Sequence, residues 1–142
     1  MSLHFEITTP SRTLLTLEVD SVTIPTRMGE VTILPHHIPL VAILEPGELV
    51  VRKNGALSYF AVSGGSIEVL PESRLRILAD TAERAEELDE AKIEEARERA
   101  RQLMEEKIHV DDVAYAGAAA ALNRELARLK VVRRHHAGTS RH

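Results

Sequence analysis

The chain has 142 residues, a length that favours one domain or a compact domain with an appendage, and a core of that size folds without disulfides or metals. It contains no cysteine, which excludes disulfides and thiolate chemistry, and its formal net charge of −4 gives a nucleic-acid partner no general electrostatic support. The longest apolar run, Ile38 to Leu44, is far shorter than the roughly 20 residues that cross a bilayer, and the N-terminus lacks a signal-peptide pattern, so we expect a soluble, cytosolic-type protein without membrane insertion.

The chain up to about Asp80 is predicted to be all-β. Short segments of β-branched and apolar residues alternate with polar residues and are separated by turn residues, as in half-buried strands. Asn54-Gly55 predicts a type I′ hairpin, while Gly64-Gly65 and the stretch from Pro71 to Ser73 are interpreted as two further turns. The candidate strands are "LHFEITTP", "TLLTLEV", "SVTIPT", "EVTILP", "ELVVRK", "LSYFAVS", "SIEVLP" and "RLRILAD".

After Asp80 the composition changes to alanine, glutamate and arginine, which predicts helices. Two apolar stripes recur every three or four residues on either side of "HVDD", where Asp111 or Asp112 is placed to cap the second helix. Because alanines bury little area, we hypothesise that this hairpin opens or detaches while the β half stays folded. The stripes contain Ile93, Ala96, Ala100, Leu103 and Met104, and then Tyr115, Ala118, Ala119, Leu122, Leu126 and Leu129.

These patterns together predict an α+β fold. An N-terminal antiparallel β-sandwich or flattened barrel over residues 1–84 is followed by an antiparallel α-helical hairpin over residues 85–134. Residues 135–142 are predicted to be a disordered tail, since the sequence from Arg133 onward has no periodicity.

The adjacent histidines His36 and His37 are the first candidate for chemistry. Adjacent residues of an extended loop point to opposite sides, so a metal site there is the weakest interpretation, behind a plain exposed loop and a docking surface. An alternative from the enzyme class is a small metal-dependent barrel with His36, His37 and His4 as ligands. The sequence shows no nucleophile elbow and no phosphate-binding loop, so no catalytic residue is assigned.

Charged residues of the helical half are the second candidate. The acidic residues from Glu83 to Glu90 lie where the first helix is predicted to begin, and their negative charges interact favourably with the positive end of the helix dipole. Arg124 and Arg128 share one helical face, predicted to lie opposite the leucine stripe, and form either a solvated surface or a fork for a phosphate or an acidic partner. Together with Arg133 and Arg134 they make a basic helix that favours an acidic protein partner.

Three stretches of the sequence match motifs of one known family. They are "GEVTILPHHIPLVAILEPGEL", which includes a G-E pair and a P-x-H-x-P-L pattern, then "VSGGSIEV", and then "LADTAERAEELDEA" at a strand-to-helix junction. With all three in order, nearly the whole chain resembles the epsilon subunit of bacterial F-type ATP synthases, equivalent to chloroplast epsilon and mitochondrial delta.

The resemblance implies a non-catalytic rotor subunit that couples proton flow to ATP synthesis. It would dock on the gamma subunit and the c-ring at the cytoplasmic face of the bacterial inner membrane, through Glu30, His37, Ile38, Pro39 and Leu40. Its hairpin would extend in an inhibitory state and contact the alpha and beta subunits through Arg124, Arg128, Arg133 and Arg134. No metal or cofactor is required.

Some members of that family also bind ATP in the folded hairpin. The resemblance places such a site at Glu83, Asp89, Lys92, Arg124 and Arg128. Lys92 replaces an arginine of the family motif and Ile93 replaces a small residue, so we expect weak ATP binding at best. The same two residues weigh against a further alternative, a free nucleotide sensor.

Overall fold

The structure of the protein is a computed structural model that describes residues 2–107 and 112–140. Eight strands come first along these residues, followed by a short 3-10 turn and two α-helices, so the predicted fold class is confirmed. The strands are β1 Leu3–Thr9, β2 Arg12–Val19, β3 Ser21–Thr26, β4 Gly29–Ile33, β5 Leu40–Leu44, β6 Gly47–Lys53, β7 Ala56–Leu70 and β8 Arg74–Arg84. The 3-10 turn is Ala85–Glu87, and the helices are α1 Glu90–Lys107 and α2 Asp112–Ser140.

The strands form one sheet that folds back on itself around a single core. The order is β2-β1-β8-β7-β5-β3-β4, and β6 joins β3 to β7 outside this path. Neighbouring strands run antiparallel except β1 and β8, which are parallel. Alternate side chains of each strand point inward, and those that do so are apolar, so they form a continuous apolar core. Its largest buried members include Phe5, Leu3, Ile7, Ile24, Ile33, Leu44, Leu49, Ile67, Leu75 and Ile77.

Two of the three turn predictions are confirmed and one is wrong. The stretch from Pro71 to Ser73 is a turn that joins β7 to β8. Asn54 and Gly55 have positive φ angles of 51° and 80° and join β6 to β7 as predicted. Gly64-Gly65 is not a turn but lies inside β7, because β8 is long enough to pair with β7 on both sides of the glycines. The glycines therefore mark where β7 changes partner from β6 to β5 and do not end the strand. Strand β5 itself was absent from the predicted segments.

Gly65 is expected to be intolerant of any side chain. Its φ is +142°, and a Cβ atom there would lie 1.9 Å from the carbonyl oxygen of Leu78 on β8. We expect Gly65→Ala to lower the free energy of unfolding by about 3 kcal/mol, measured by urea titration. The control is Gly117→Ala in α2, where a Cβ meets no atom within 4 Å and the helix gains up to about 1 kcal/mol. Equal unfolding midpoints for the two variants would contradict this expectation.

The two helices form a hairpin that packs on the β domain. Ile93 near the start of α1 packs with Leu129 and Val132 in the second half of α2, so the helices are antiparallel. Val131 of α2 is buried against Ala61 of β7 and against the 3-10 turn. Asp89 caps α1 by accepting a hydrogen bond of 3.0 Å from the Ala91 amide. The structure therefore shows the hairpin in its folded position.

The predicted helix faces and the predicted tail need correction. Leu103 and Leu126 are exposed, whereas Val131 and Val132, outside the predicted stripe, are almost fully buried. Val131 packs on the β domain and Val132 packs on α1, so α2 has two buried sides. Helix α2 continues to Ser140, although a disordered tail was predicted from residue 135, since extending an existing helix is far easier than nucleating one. Asp112 lies in the first turn of α2, and Asp111 lies outside the described residues.

Candidate functional site

An apolar groove opens on one side of the β domain, between β4 and β5. It has a volume of about 360 Å³, and its walls are almost entirely hydrocarbon. Val41 is 77% exposed and Met28 and Ile43 are also exposed, which is unusual for apolar side chains that lie together. The residues that define this β4–β5 groove are Ile24, Met28, Val31, Leu40, Val41 and Ile43.

Four of the five predicted docking residues lie in or beside this groove. Leu40 lines it, and Ile38, which is 75% exposed, lies in the adjoining loop with His37 and Pro39. The His37 ring is hydrogen-bonded to the Ile38 carbonyl at 2.7 Å. Glu30 lies apart from the others, because alternation along β4 turns its side chain to the opposite face of the strand. Sequence reasoning missed Met28, Val41 and Ile43, because "LVAIL" is apolar throughout and no alternation with polar residues separates its exposed positions from its buried ones.

The histidines do not form the ligand set of the metal-dependent alternative. The His4 ring is hydrogen-bonded to Glu18 at 2.7 Å, whereas the backbone amide of His36 donates to the Ser73 hydroxyl at 2.8 Å. Across residues 2–107 and 112–140, no group of three or more His, Asp or Glu side chains is arranged to hold a metal ion. Instead, the bond from His36 anchors the β4–β5 loop to the β7–β8 turn.

A second cavity, of about 370 Å³, lies between the end of β8 and the two helices. Four of the five predicted ATP-site residues line it, namely Glu83, Asp89, Lys92 and Arg128, whereas Arg124 does not. Glu87, Arg99 and Glu125 also line it, which the sequence analysis did not anticipate. Most of the residues that the resemblance implies for an ATP site therefore lie around one cavity, together with charges that it does not imply.

Arg128 is the central cation of the second cavity. Its Nε atom donates to Glu83 at 2.6 Å and its Nη1 atom to Glu125 at 2.5 Å. The Arg128 side chain is only 22% exposed, so the prediction that it lies on an outer face, opposite the leucines, is wrong. Glu125 is more deeply buried still, at 6% exposure, and its Oε2 atom has no hydrogen-bond partner among the described residues.

The charges of this cavity fit a nucleotide poorly. Glu83, Glu87, Asp89 and Glu125 place four carboxylates against the three cations Lys92, Arg99 and Arg128. Arg128 already binds two of these carboxylates, and Asp89 caps α1. A triphosphate would therefore have to displace Glu125 from Arg128 in a cavity that carries an excess of negative charge.

The arginines predicted to contact other subunits pair here with carboxylates of the same chain. Arg133 binds Glu90 at 3.0 Å and Glu94 at 2.6 Å, both on α1. Arg134 binds Glu48 of β6 at 3.0 Å, and Arg124 lies 4.0 Å from Glu125. In the folded hairpin each of these arginines therefore lies beside a carboxylate of the same chain.

A β-sandwich with an exposed apolar groove, joined to a helical hairpin whose second helix is basic, defines a two-domain binding subunit. Family comparisons agree with this class. The description "ATP synthase, Delta/Epsilon chain, beta-sandwich domain" matches residues 2–85, and "ATP synthase, Delta/Epsilon chain, long alpha-helix domain" matches residues 86–133. The chain belongs to the ATP synthase delta/epsilon chain family, and its role there is that of a non-catalytic stalk subunit.

Relatives cover both domains. The ATP synthase epsilon chain of Chloroflexus aggregans is 50% identical over 135 residues, which is 95% of each chain. The epsilon chain of Herpetosiphon aurantiacus is 47% identical over 133 residues, or 94% of this chain and 96% of that one. The resemblance to epsilon subunits that the sequence motifs indicate is therefore confirmed.

A solved structure with a similar fold comes from the Euglena gracilis mitochondrial ATP synthase, described as OSCP/F1/c-ring. It has a TM-score of 0.74 and 27% identity, and the match covers 86% of this chain and 76% of that one. A central stalk and c-ring structure from Tetrahymena thermophila, at 18% identity and a TM-score of 0.60, shares the fold. None of the helices in the described residues has the length and apolar character needed to span a membrane.

Proposed function

We propose that the chain couples proton flow through the c-ring to ATP synthesis and restrains ATP hydrolysis through its hairpin. The β domain docks on the gamma subunit and the c-ring, and the hairpin reaches the alpha and beta subunits when it extends. The protein is then peripheral, at the cytoplasmic face of a bacterial inner membrane. The observation that carries the proposal is the β4–β5 groove, an exposed apolar surface on a chain whose relatives are epsilon chains.

The docking residues would divide between two partners. Ile38, Pro39 and Leu40, with the groove beside them, offer an apolar surface suited to a hydrophobic interface core with gamma. Glu30 lies on the other face of β4, where a carboxylate suits the polar loops of a c-ring. His37, in the connecting loop, is assigned to the gamma side.

The inhibitory role rests on the arginines of α2. Arg128, Arg133 and Arg134 are held by carboxylates of this chain in the folded hairpin, so they reach acidic residues of the alpha and beta subunits only after the hairpin leaves. A two-state element requires contacts that compete, and these arginines would have one set of carboxylate partners in the folded hairpin and another in the extended one. Adding the chain back to a catalytic head and gamma subunit prepared without it tests the proposal. Binding with slower ATP hydrolysis is expected, and failure to bind contradicts it.

ATP is expected to bind the isolated chain only weakly, with a dissociation constant above about 1 mM, because Glu125 occupies Arg128 and the cavity has a carboxylate in excess. Isothermal titration calorimetry measures this directly. Glu125→Gln is expected to tighten binding several-fold because it removes the competing charge. Glu98→Gln on the exposed face of α1 is the control and is expected to have no effect. Submillimolar affinity of the unaltered chain would overturn this expectation.

A further inference from the structure

The end of the hairpin covers one buried carboxylate of the β domain. Glu48 lies on the outer face of β6, since its neighbour Leu49 points into the core. Its side chain is nevertheless only 3% exposed, and Arg134 of α2 donates to its Oε1 atom at 3.0 Å. The guanidinium of Arg134 also lies over the ring of Tyr59 on β7, 5.8 Å from the ring centre.

This burial depends on the position of the hairpin. An outward-facing residue of a strand is normally solvated, and α2 packs on the outer faces of β6 and β7. The Oε2 atom of Glu48 has no hydrogen-bond partner among the described residues, so Arg134 is the main compensation for its charge there. When the hairpin leaves, Glu48 regains water and Arg134 becomes available to another carboxylate.

The charged groups around Glu48 come from several elements. Burial raises the pKa of the Glu48 carboxyl, Arg134 and Lys130 of α2 act to lower it, and Glu30 of β4 raises it further. The adjoining polar cavity adds Asp20 and Arg52, and the side of β7 carries Tyr59. A carboxyl group with a raised pKa in the folded hairpin binds protons more strongly in that state, so the Glu48 contribution favours folding as the pH falls and opposes it as the pH rises.

We propose that Glu48, Arg134 and Tyr59 form a latch that holds the hairpin on the β domain and makes its release sensitive to pH. The inference rests on the proposed inhibitory role of the hairpin and adds the contact that regulates it. In this arrangement Arg134 exchanges one carboxylate for another when the hairpin extends, and Glu48 exchanges Arg134 for water. Because each charge has a partner or solvent in both states, the two states remain close in free energy.

The latch is tested by amide hydrogen exchange on the isolated full chain, which is independent of the catalytic head. Arg134→Ala leaves the Glu48 charge buried without a partner, so protection of α2 amides should fall about tenfold or more near neutral pH and less as the pH falls toward the range in which carboxyl groups ordinarily take up a proton. Adding Glu48→Gln to Arg134→Ala should restore most of that protection and remove its pH dependence. This rescue distinguishes a charge latch from simple packing of Arg134 on Tyr59.

Arg133→Ala is the matched control. Its partners Glu90 and Glu94 are both more than a third exposed, so the lost pairs change α2 protection little. The amides of β7 and β8 report in the same experiment that the β domain stays folded. An Arg134→Ala variant with unchanged α2 protection, or one that Glu48→Gln does not rescue, would overturn the latch. The inhibitory function would stand or fall separately, in the ATP hydrolysis assay.

Discussion

A chain that ends at Glu87 is expected to bind the gamma subunit as the full chain does and to leave ATP hydrolysis uninhibited. The β domain has its own core, formed by residues from Leu3 to Ala79, with no contribution from the helices. Removing α1 and α2 exposes only a small apolar patch around Ala61 and Tyr59 and returns Glu48 to water. The arginines proposed to contact the alpha and beta subunits are all lost.

Hydrolysis by the catalytic head with gamma, prepared without this subunit, is the measurement. The full chain should slow hydrolysis, and the chain ending at Glu87 should bind without slowing it. A chain ending at Arg134 is the matched control, because it keeps the ion pairs of Arg128, Arg133 and Arg134 and should inhibit as the full chain does. Inhibition by the chain ending at Glu87 would place the inhibitory contact in the β domain and remove the role proposed for the hairpin.

Val41→Asp is expected to weaken binding to the gamma subunit by at least about 100-fold. Val41 lies in the β4–β5 groove and is largely exposed, so its replacement does not disturb the core of the free protein. In the complex the new carboxylate would be buried against apolar side chains without a partner, which is strongly unfavourable. Surface plasmon resonance with immobilised gamma subunit gives the affinity directly.

Val113→Asp in the first turn of α2 is the matched control for this experiment. It makes the same change at a valine that is 82% exposed and far along the chain from the groove. Its affinity for gamma should equal that of the unaltered chain. Equal binding by both variants would show that the groove is not the docking surface.

Much of the fold was readable from the sequence because its signals are local. Alternation and turn residues predict segments in seven of the eight strands, all except β5, although β7 is predicted as two segments. The Asn54-Gly55 hairpin is confirmed. The sequence suggests a turn at Gly64-Gly65 because the residues of β8 that pair with this part of β7, Ala79 and Thr81, are not its neighbours along the chain. Local chemistry does not reveal that a glycine pair has hydrogen-bonded neighbours on both sides.

The sites were less readable, because their members come from separate elements. Motif order indicates the loop that we propose for docking and most of the residues around the second cavity. Glu48, Glu125 and Tyr59 carry no local signal that sets them apart from other surface residues. Arg128 was assigned to an outer face because a single helix has one apolar stripe, whereas α2 packs on α1 and on the β domain at the same time. A helix that packs on two neighbours has a second buried face, and the residues on that face do not belong to the single apolar stripe read from the sequence.

The sequence by itself determined the two-part architecture and the family, because hydrophobic period, turn chemistry and motif spacing are properties of neighbouring residues. Only the tertiary structure decided which charges are buried and paired. Glu48 and Arg134 are 86 positions apart, and their contact exists only because the part of α2 that carries Arg134 lies on β6. Burial and pairing of a charge depend on what covers it, and that covering element is set by the packing of the whole chain.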